Sequence, residues 1–217
     1  LYIGIYKLCQ KECQEMSNIG CIERKISLQS IKKLNEYIKE KKETITTFAG
    51  NITCSYYLED KNNWFFKKEI IPTIEQYIKS FGKETIPLML TKNCKYKLHH
   101  FWVNYQKKYE FNPIHHHNGV FSFIVWLEIP SSYKKESKLP FLKNSGEKLA
   151  NCFQFLYPSG QGSIEKITYK LEPSHNGTML LFPSKLDHCV YPFYLSNKKR
   201  ISISGNVYLN RKETYDF

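Results

Sequence analysis

Two stretches in the first half of the chain repeat apolar residues at helical spacing. In residues 27–38 the apolar positions recur every three or four residues, and Lys and Glu occupy the opposite side. These positions are Leu28, Ile31, Leu34 and Ile38. A similar stripe runs through residues 63–81 and is ended by Gly82, while Pro72 within it indicates a kink or a later start. The sequence therefore predicts two amphipathic helices before residue 83.

From residue 96 onward the pattern changes to short, β-rich segments separated by Gly, Pro and Asn. The strand-like segments are 96–106, 120–129, 152–157, 163–169, 178–182 and 200–209. Earlier in the chain, residues 1–8 indicate a short strand, and residues 44–57 indicate a strand or an extended loop. The Lys-, Glu- and Ser-rich stretch 131–149 has no clear period and is most simply a surface excursion between strands.

Many short strands with turn residues between them indicate a sandwich or a barrel. We therefore predict a mainly β fold, a double-stranded β-helix (jelly roll) with N-terminal flanking helices. The expected organisation is one domain spanning residues 1–217. In it, residues 1–95 form a helical and extended part that packs on the barrel, and residues 96–210 form the jelly-roll core.

The charge and composition narrow the function classes only slightly. The net charge of +12 is compatible with a nucleic-acid partner, because clustered basic side chains bind phosphates. Yet 29 of the 32 basic residues are Lys, whereas bidentate phosphate and base contacts favour Arg. A nucleic-acid substrate is thus possible but not favoured, and a small-molecule or peptide substrate is preferred. The oligomeric state is left open.

The cysteines and the opening residues bear on the compartment. Seven cysteines without a regular framework fit a reducing compartment better than a disulfide scaffold. Cys9, Cys13 and Cys21 lack the paired spacing of a zinc site, so ordinary thiols are the simpler interpretation. The apolar opening 1–6 is too short for a membrane span or a signal segment. We therefore expect an intracellular protein without a membrane partner, in the cytoplasm or, if the protein is viral, in the host cytoplasm.

Candidate chemistry is concentrated in three histidines. In a strand alternate side chains share a face, so His115 and His117 are expected to point together into a barrel while His116 points away. His188, about seventy positions later, follows another strand-like segment and is expected to complete the set. Two histidines and usually a carboxylate hold iron(II) on one face in non-haem oxygenases, and here His117 takes the position of the carboxylate.

Each histidine also has a simpler interpretation. The triplet 115–117 alone is compatible with an exposed polar turn, and only the addition of His188 and Arg200 at suitable intervals favours a metal site. His99, His100 and His175 lack such context and are expected at the surface or in packing.

Several segments of the sequence also resemble a known family. The matching segments are Trp102-x-Asn104, Asn112-Pro-x-His-x-His117, Leu181-Phe-Pro-Ser-x-Leu-x-His188, Pro192 and Arg200-Ile-Ser-Ile-Ser-Gly-Asn206. They resemble the iron(II)- and 2-oxoglutarate-dependent oxygenases of phage and marine microbial sequences, which are related to the prolyl 4-hydroxylase-like group. The resemblance covers about half of the chain, and the first hundred residues carry no motif of this family.

The resemblance implies an oxidoreductase, a dioxygenase that uses Fe(II), 2-oxoglutarate and O2. It implies that His115, His117 and His188 bind the metal and that Arg200 pairs with the far carboxylate of 2-oxoglutarate, for which a planar guanidinium is suited. Ser202 shares a strand face with Arg200 and is expected to donate to the same carboxylate. Asn104 and Tyr105 are further candidates for a polar contact with the cosubstrate, although strand parity allows only one of them to face inward.

The sequence departs from the common His-x-Asp pattern of the family at one position, where the neutral His117 replaces the Asp carboxylate. Asp187 is not expected to replace it, since a residue adjacent to His188 faces the other side of the strand. A cupin keeps the fold and explains the histidines without 2-oxoglutarate, as a metal-binding protein or a three-histidine dioxygenase. Cupins usually carry a Glu soon after the His pair, which is missing here, and they have no need of Arg200. A non-enzymatic jelly-roll binding protein is the third reading.

The expected reaction is hydroxylation of an unidentified substrate with release of succinate and CO2. Halogenation is less favoured, because both His115 and His117 are available as ligands and no protein position is left for a chloride. Substrate specificity is expected to come from the loops 105–111 and 131–149 and from the N-terminal helices.

Overall fold

The computed structural model describes residues 19–45, 50–82 and 94–214, the last four of these by their backbone. The predicted strand at residues 1–8 and the cysteines Cys9 and Cys13 lie outside the described residues. Within this part of the chain, no helix has both the length and the apolar character needed to cross a membrane.

Helices and strands follow one another as the sequence pattern predicts, with the helices mostly first. The helices are α1 (Leu28–Lys39), α2 (Ile71–Phe81) and the short α3 (Tyr133–Glu136); a π-helix (Phe66–Ile70) precedes α2, and 3-10 turns occupy Lys61–Asn63, Pro140–Leu142 and Pro173–His175. The strands are β1 (Ile22–Lys25), β2 (Ser55–Tyr57), β3 (Cys94–Gln106), β4 (Asn112–His115), β5 (Phe121–Glu128), β6 (Cys152–Pro158), β7 (Ile164–Lys170), β8 (Thr178–Pro183), β9 (Asp187–Val190) and β10 (Arg200–Thr214).

The two predicted helices are both present, and local chemistry sets their starts. The Ser27 hydroxyl caps α1 by accepting a hydrogen bond from the backbone N–H of Ser30 at 3.1 Å. Pro72 lies in the first turn of α2, where its missing N–H costs no helical hydrogen bond. The later start that Pro72 predicted is therefore observed, and the residues before it form the π-helix.

The strands form two antiparallel sheets. The larger has six strands in the order β1-β8-β5-β10-β3-β2, and the smaller has four in the order β4-β9-β6-β7. Apart from the β6–β7 hairpin, most neighbouring strands come from distant parts of the chain, as in a jelly roll. The predicted mainly β fold with flanking helices is confirmed.

The larger sheet has an apolar face and a polar face. Along β10, Ile201, Ile203 and Val207 pack towards the helices, where the Phe65 ring of the helical layer lies 5.9 Å from the rings of Phe101 and Phe123. A second apolar cluster fills part of the space between the sheets and includes Trp126, Phe153, Phe155 and Phe182. The remaining space between the sheets is a polar cavity, which the alternate residues of β10 line.

The stretch 131–149 is more than the surface excursion that its composition indicates. It contains α3, and the carboxylate of Glu136 in this helix is fully buried. The carboxylate accepts hydrogen bonds from the Ser131 hydroxyl and from the backbone N–H groups of Tyr194 and Leu195. A Lys-rich segment is thus tied to the chain just before β10 by one buried acidic residue.

Candidate metal centre and cosubstrate cavity

Three imidazoles meet where the smaller sheet borders the cavity. The pairing of β4 with β9 places His115 directly opposite His188. His117 completes the group, and one ring nitrogen from each histidine lies within 4.8 Å of the other two. Strand alternation is not what brings His117 there, because β4 ends at His115. The sequence-based expectation of one strand carrying both side chains is wrong on this point, although the two rings do come together.

Backbone carbonyls orient two of the three rings. His115 Nδ1 lies 2.8 Å from the carbonyl oxygen of Pro113, and His188 Nδ1 lies 2.9 Å from that of Leu186. Because a carbonyl only accepts, each Nδ1 carries the proton and each Nε2 keeps its lone pair. Such a contact to the non-ligating nitrogen is the usual support of a metal-binding histidine.

Burial keeps the three rings neutral. Loss of water contact lowers the pKa of His115, lowers the pKa of His117 to about 4, and lowers the pKa of His188 well below its ordinary value. The neighbouring imidazoles act in the same direction on all three. At neutral pH the group therefore offers uncharged nitrogen donors, which is the form that binds a metal.

Aromatic side chains hold the rings in place. The imidazole of His188 lies against Phe153, Phe155 and Phe182, with centroid separations of 5.6, 6.5 and 5.1 Å. The ring of His117 meets Trp102 edge-on at 5.6 Å. These contacts restrict ring rotation and leave little entropy to be lost when a metal binds.

His116 and Asp187 stay outside the group, as their strand parity predicts. His116 Nδ1 lies 2.9 Å from a carboxylate oxygen of Asp187, and both side chains are about half exposed. The pair joins the end of β4 to the start of β9, and His116 also contributes to the lining of the cavity beside the imidazoles.

The cavity beside the imidazoles has a volume of about 280 Å³. The inward-facing polar residues of β3 and β10 line it, namely Asn104, Gln106, Arg200, Ser202, Ser204 and Asn206. His100 also lines the cavity, which corrects the expectation of a surface or packing role.

Of the two neighbouring candidates on β3, the structure places Asn104 in the cavity and Tyr105 outside it. Asn104 accepts a hydrogen bond of 2.6 Å from the Ser55 hydroxyl. The ring of Tyr105 instead packs with the helical side of the larger sheet, 6.1 Å from the ring of Tyr56. The structure therefore does not bring Tyr105 together with the other predicted site residues.

Arg200 closes one end of the cavity and is only 1% exposed. Its guanidinium donates to the side-chain oxygens of Gln106 at 2.9 Å and of Asn151 at 2.6 Å, and it lies over the ring of Phe193. Burial lowers its pKa to about 10, so the group is still a cation at neutral pH. These acceptors are neutral, although the buried Glu136 carboxylate lies near enough to favour the charged form of Arg200, so an anion entering this end of the cavity meets a positive charge that is only partly compensated.

Besides Thr178 Oγ1 and Asn112 Oδ1, two buried N–H donors among the described residues lack a hydrogen-bond partner, and both belong to cavity-lining side chains. They are Arg200 Nε and Trp126 Nε1. Trp126 is opposite Ser202 in the pairing of β5 with β10, so the Trp126 and Ser202 side chains are neighbours. An unpaired buried donor costs about 1–3 kcal/mol. A carboxylate at this end would meet the Arg200 cation and the Ser202 hydroxyl, so the residues present fit a dicarboxylate cosubstrate.

Sequence reasoning missed Trp126, Gln106 and Asn151. Trp126 carries a usable signal, because it is two positions from Ile124 and four from Ser122 on one strand face. The partners of Arg200 carry none, since neutral amides are compatible with almost any environment.

Fold and site together define a jelly-roll protein in which three histidines that could hold a metal ion lie beside a polar cavity lined by a buried guanidinium. Residues 100–206 match the profile of the family described as "Putative 2OG-Fe(II) oxygenase". Over these residues, which include all three histidines and Arg200, the chain belongs to the 2-oxoglutarate- and iron(II)-dependent oxygenases. The family resemblance noted in the sequence is confirmed, and with it the assignment as an oxidoreductase that uses iron, 2-oxoglutarate and O2.

Solved structures resemble the chain in fold. An oxidoreductase of the 2OG-Fe(II) oxygenase family from Burkholderia pseudomallei superposes with a TM-score of 0.55 at 11% identity, covering 91% of this chain and 89% of that one. The α-ketoglutarate-dependent epimerase SnoN from nogalamycin biosynthesis superposes with a TM-score of 0.52 at 12% identity, covering 93% and 82%. A prolyl-4-hydroxylase from Pseudomonas putida gives 0.48 at 12% identity, covering 91% and 96%. No match to a curated protein sequence was found.

Proposed function

We propose that His115, His117 and His188 together hold one iron(II) ion and that the Arg200 end of the cavity binds 2-oxoglutarate. The observation that carries this proposal is the group of three neutral imidazoles with nitrogens within 4.8 Å of one another. Bound iron(II) and 2-oxoglutarate supply the oxidation of a C–H bond by O2, with succinate and CO2 as by-products.

The residues of this chain have three tasks in that reaction. His115, His117 and His188 would hold the metal, which would supply the site where 2-oxoglutarate and O2 react. Arg200, through its unpaired Nε–H, and Ser202 bind the far carboxylate, assisted by the indole N–H of Trp126. The aromatic wall around His188 excludes water, which strengthens these charge-dependent contacts.

The substrate belongs at the open part of the cavity. Ile52 and Tyr57, from the segment before β3, contribute to the lining there together with His100. The predicted specificity loop 131–149 contributes no lining residue among those described, so this expectation is not met. Because the lining beyond Arg200 is neutral, consisting of amides, hydroxyls, imidazoles and apolar groups, we propose a small-molecule or peptide substrate rather than a nucleic acid.

An anaerobic titration with iron(II) tests the metal part of the proposal. Wild-type protein should bind one equivalent, and His188→Ala should bind at least tenfold more weakly, because one of three ligands is lost. His116→Ala is the matched control, since it removes a neighbouring imidazole that is engaged with Asp187. Equal iron affinity in wild type and His188→Ala would refute the assigned ligand set.

A cosubstrate titration distinguishes this function from a cupin-like metal protein. Arg200→Ala should weaken 2-oxoglutarate binding by an amount on the order of 2–5 kcal/mol, because a buried charge-assisted contact is lost. Arg200→Lys keeps the charge and should lose less, which controls for a folding defect. Normal iron affinity with no 2-oxoglutarate binding in the wild type would favour the cupin-like reading.

Slow conversion of 2-oxoglutarate to succinate in the absence of substrate gives an activity readout. It should require iron and fall to background in His115→Ala. Equal rates in wild type and His115→Ala would contradict the proposed role of this histidine.

A further inference from the structure

His117 is held differently from the other two candidate ligands. His115 and His188 lie on paired strands, whereas His117 lies two residues beyond the end of β4. Among the described residues, no carbonyl contacts its Nδ1 as Pro113 and Leu186 contact those of His115 and His188. A metal site needs this imidazole fixed as firmly as the other two, so the loop that carries it requires its own support.

Backbone hydrogen bonds hold this loop on both sides. The His117 N–H donates to the carbonyl of Ser184 at 2.8 Å, and the Ser184 N–H donates to the carbonyl of Val120 at 3.1 Å. The Val120 N–H in turn donates to the carbonyl of Val207 on β10 at 2.8 Å. Ser184 therefore hydrogen-bonds the loop at both of its ends, and β10 hydrogen-bonds the Val120 end of the loop.

Gly119 allows this close approach. Its φ is +118°, a conformation that side chains rarely adopt, and a Cβ at this position would lie 2.7 Å from the carbonyl oxygen of Val207. A larger residue here would push the loop away from β10 and so displace His117.

Side chains then hold Ser184 itself. The Ser122 hydroxyl lies 3.0 Å from the Ser184 hydroxyl and 2.8 Å from Asn206 Oδ1. All three side chains are buried, with exposures of 2%, 1% and 6% for Ser122, Ser184 and Asn206. Because buried hydrogen bonds of this kind fix geometry, the position of Ser184 is set from β5 and β10.

We infer that Asn206, Ser122 and Ser184 form a positioning network for His117, an inference that rests on the proposed three-histidine metal site. The network gives a role to two motif residues, Ser184 and Asn206, that neither the metal nor the cosubstrate uses. It acts through the Ser184 carbonyl, so it sets where the His117 ring stands without touching the metal.

Titration of the 217-residue protein with Co(II) under anaerobic conditions tests this inference. Ser122→Ala and Asn206→Ala should each weaken Co(II) affinity about tenfold, the lower end of what lost support of a ligand costs. They should also change the visible absorption of bound Co(II), since the ligand geometry changes. Ser122→Thr keeps the hydroxyl and should retain most of the affinity.

Ser55→Ala is the matched control. It removes a hydroxyl that hydrogen-bonds Asn104 on the same cavity wall, with no link to a histidine. Its Co(II) affinity and absorption should equal those of the wild type. A tenfold loss in Ser55→Ala as well would mean that the effect is general loosening of the cavity, and the inference would be refuted.

A double-mutant cycle separates positioning from general stability. If Ser122 acts through His117, Ser122→Ala should have no further effect on Co(II) affinity once His117→Ala has removed the ring. Additive losses would overturn the inference, as would wild-type affinity in Ser122→Ala beside a weakened His117→Ala. Failure of the wild type to bind Co(II) would instead overturn the metal site and the network together.

Discussion

Trp126 is the residue whose environment is hardest to explain without a ligand. The side chain is fully buried, its ring stacks on Tyr169 at 5.4 Å, and its N–H has no partner among the described residues. Packing alone would be served equally well by Phe. Its proximity to Ser202 instead indicates that the indole N–H is available to donate a hydrogen bond to an anionic group.

This gives a prediction at the scale of one hydrogen bond. Trp126→Phe should weaken 2-oxoglutarate binding about tenfold, because a hydrogen bond to a charged group contributes roughly 1.5–3 kcal/mol. Binding of 2-oxopentanoate, which lacks the far carboxylate, should change little. Isothermal titration of the iron- or cobalt-loaded protein with both acids measures the difference.

Trp64→Phe serves as the control, since Trp64 packs on the helical side of the larger sheet. It should leave both affinities unchanged. If Trp126→Phe weakens both acids equally, the indole acts by filling space and not as a donor.

At the scale of single residues, the sequence predicts the chemistry of the candidate site better than the position of each side chain. The three histidines and Arg200 were predictable because their residue types and spacing are rare together. The choice between Asn104 and Tyr105 needed the strand register, which pairs Asn104 with Ser202. The supports of His117 could not be predicted, because they are backbone groups and serines whose role depends on a loop conformation.

Among the secondary-structure elements, α3 links the surface to the Arg200 end of the cavity. Its buried Glu136 holds the N–H groups of Tyr194 and Leu195, and the preceding residue, Phe193, lies under the Arg200 guanidinium. A loop on the outside of the barrel thereby helps to set the cavity from within.

We therefore expect Glu136→Ala to lower the free energy of unfolding by about 2–4 kcal/mol, because a charged acceptor of several buried hydrogen bonds is lost. Urea denaturation followed by fluorescence measures this. Glu136→Gln keeps one acceptor oxygen and should lose less. A loss below about 0.5 kcal/mol in Glu136→Ala would show that the carboxylate is not needed to hold the turn.

Long elements were predictable from the sequence and short ones were not. All six strand-like segments from residue 96 onward became strands, and α1 was predicted nearly to its ends. The four-residue strand β1 was missed because so few positions show no period, and β9 was expected only as the strand that carries His188. In β4 the strand was expected but was found to stop before His117. The pairing of such short strands depends on partners far away in the chain, and the local sequence pattern does not contain those partners.

For the whole molecule, the group of three histidines connects the smaller sheet to the larger one. His115 and His188 belong to the smaller sheet, while the His117 loop is tied to β10 of the larger sheet through Val120. A bound metal would therefore link the two layers of the barrel, as well as individual loops.

Metal binding should raise the melting temperature accordingly. At a free Co(II) concentration of one hundred times the Kd, the gain is about 2.7 kcal/mol, or about 5–10 °C for a chain of this size. Differential scanning calorimetry with and without Co(II) measures the shift. The shift should be absent in His188→Ala, and a similar shift in that variant would indicate binding elsewhere.

The pairing of β4 with β9 also determines when the metal can enter during folding. It joins residues about seventy positions apart, so the entropy of closing that long loop must be met before two imidazoles face each other. The third waits for β10, the last strand of the barrel, to dock. The three imidazoles are thus not yet together in early, locally structured species, and a metal held by them would bind a chain that has already folded. Bound metal should consequently slow unfolding while leaving the refolding rate almost unchanged, because it stabilises the folded barrel and does not direct its formation.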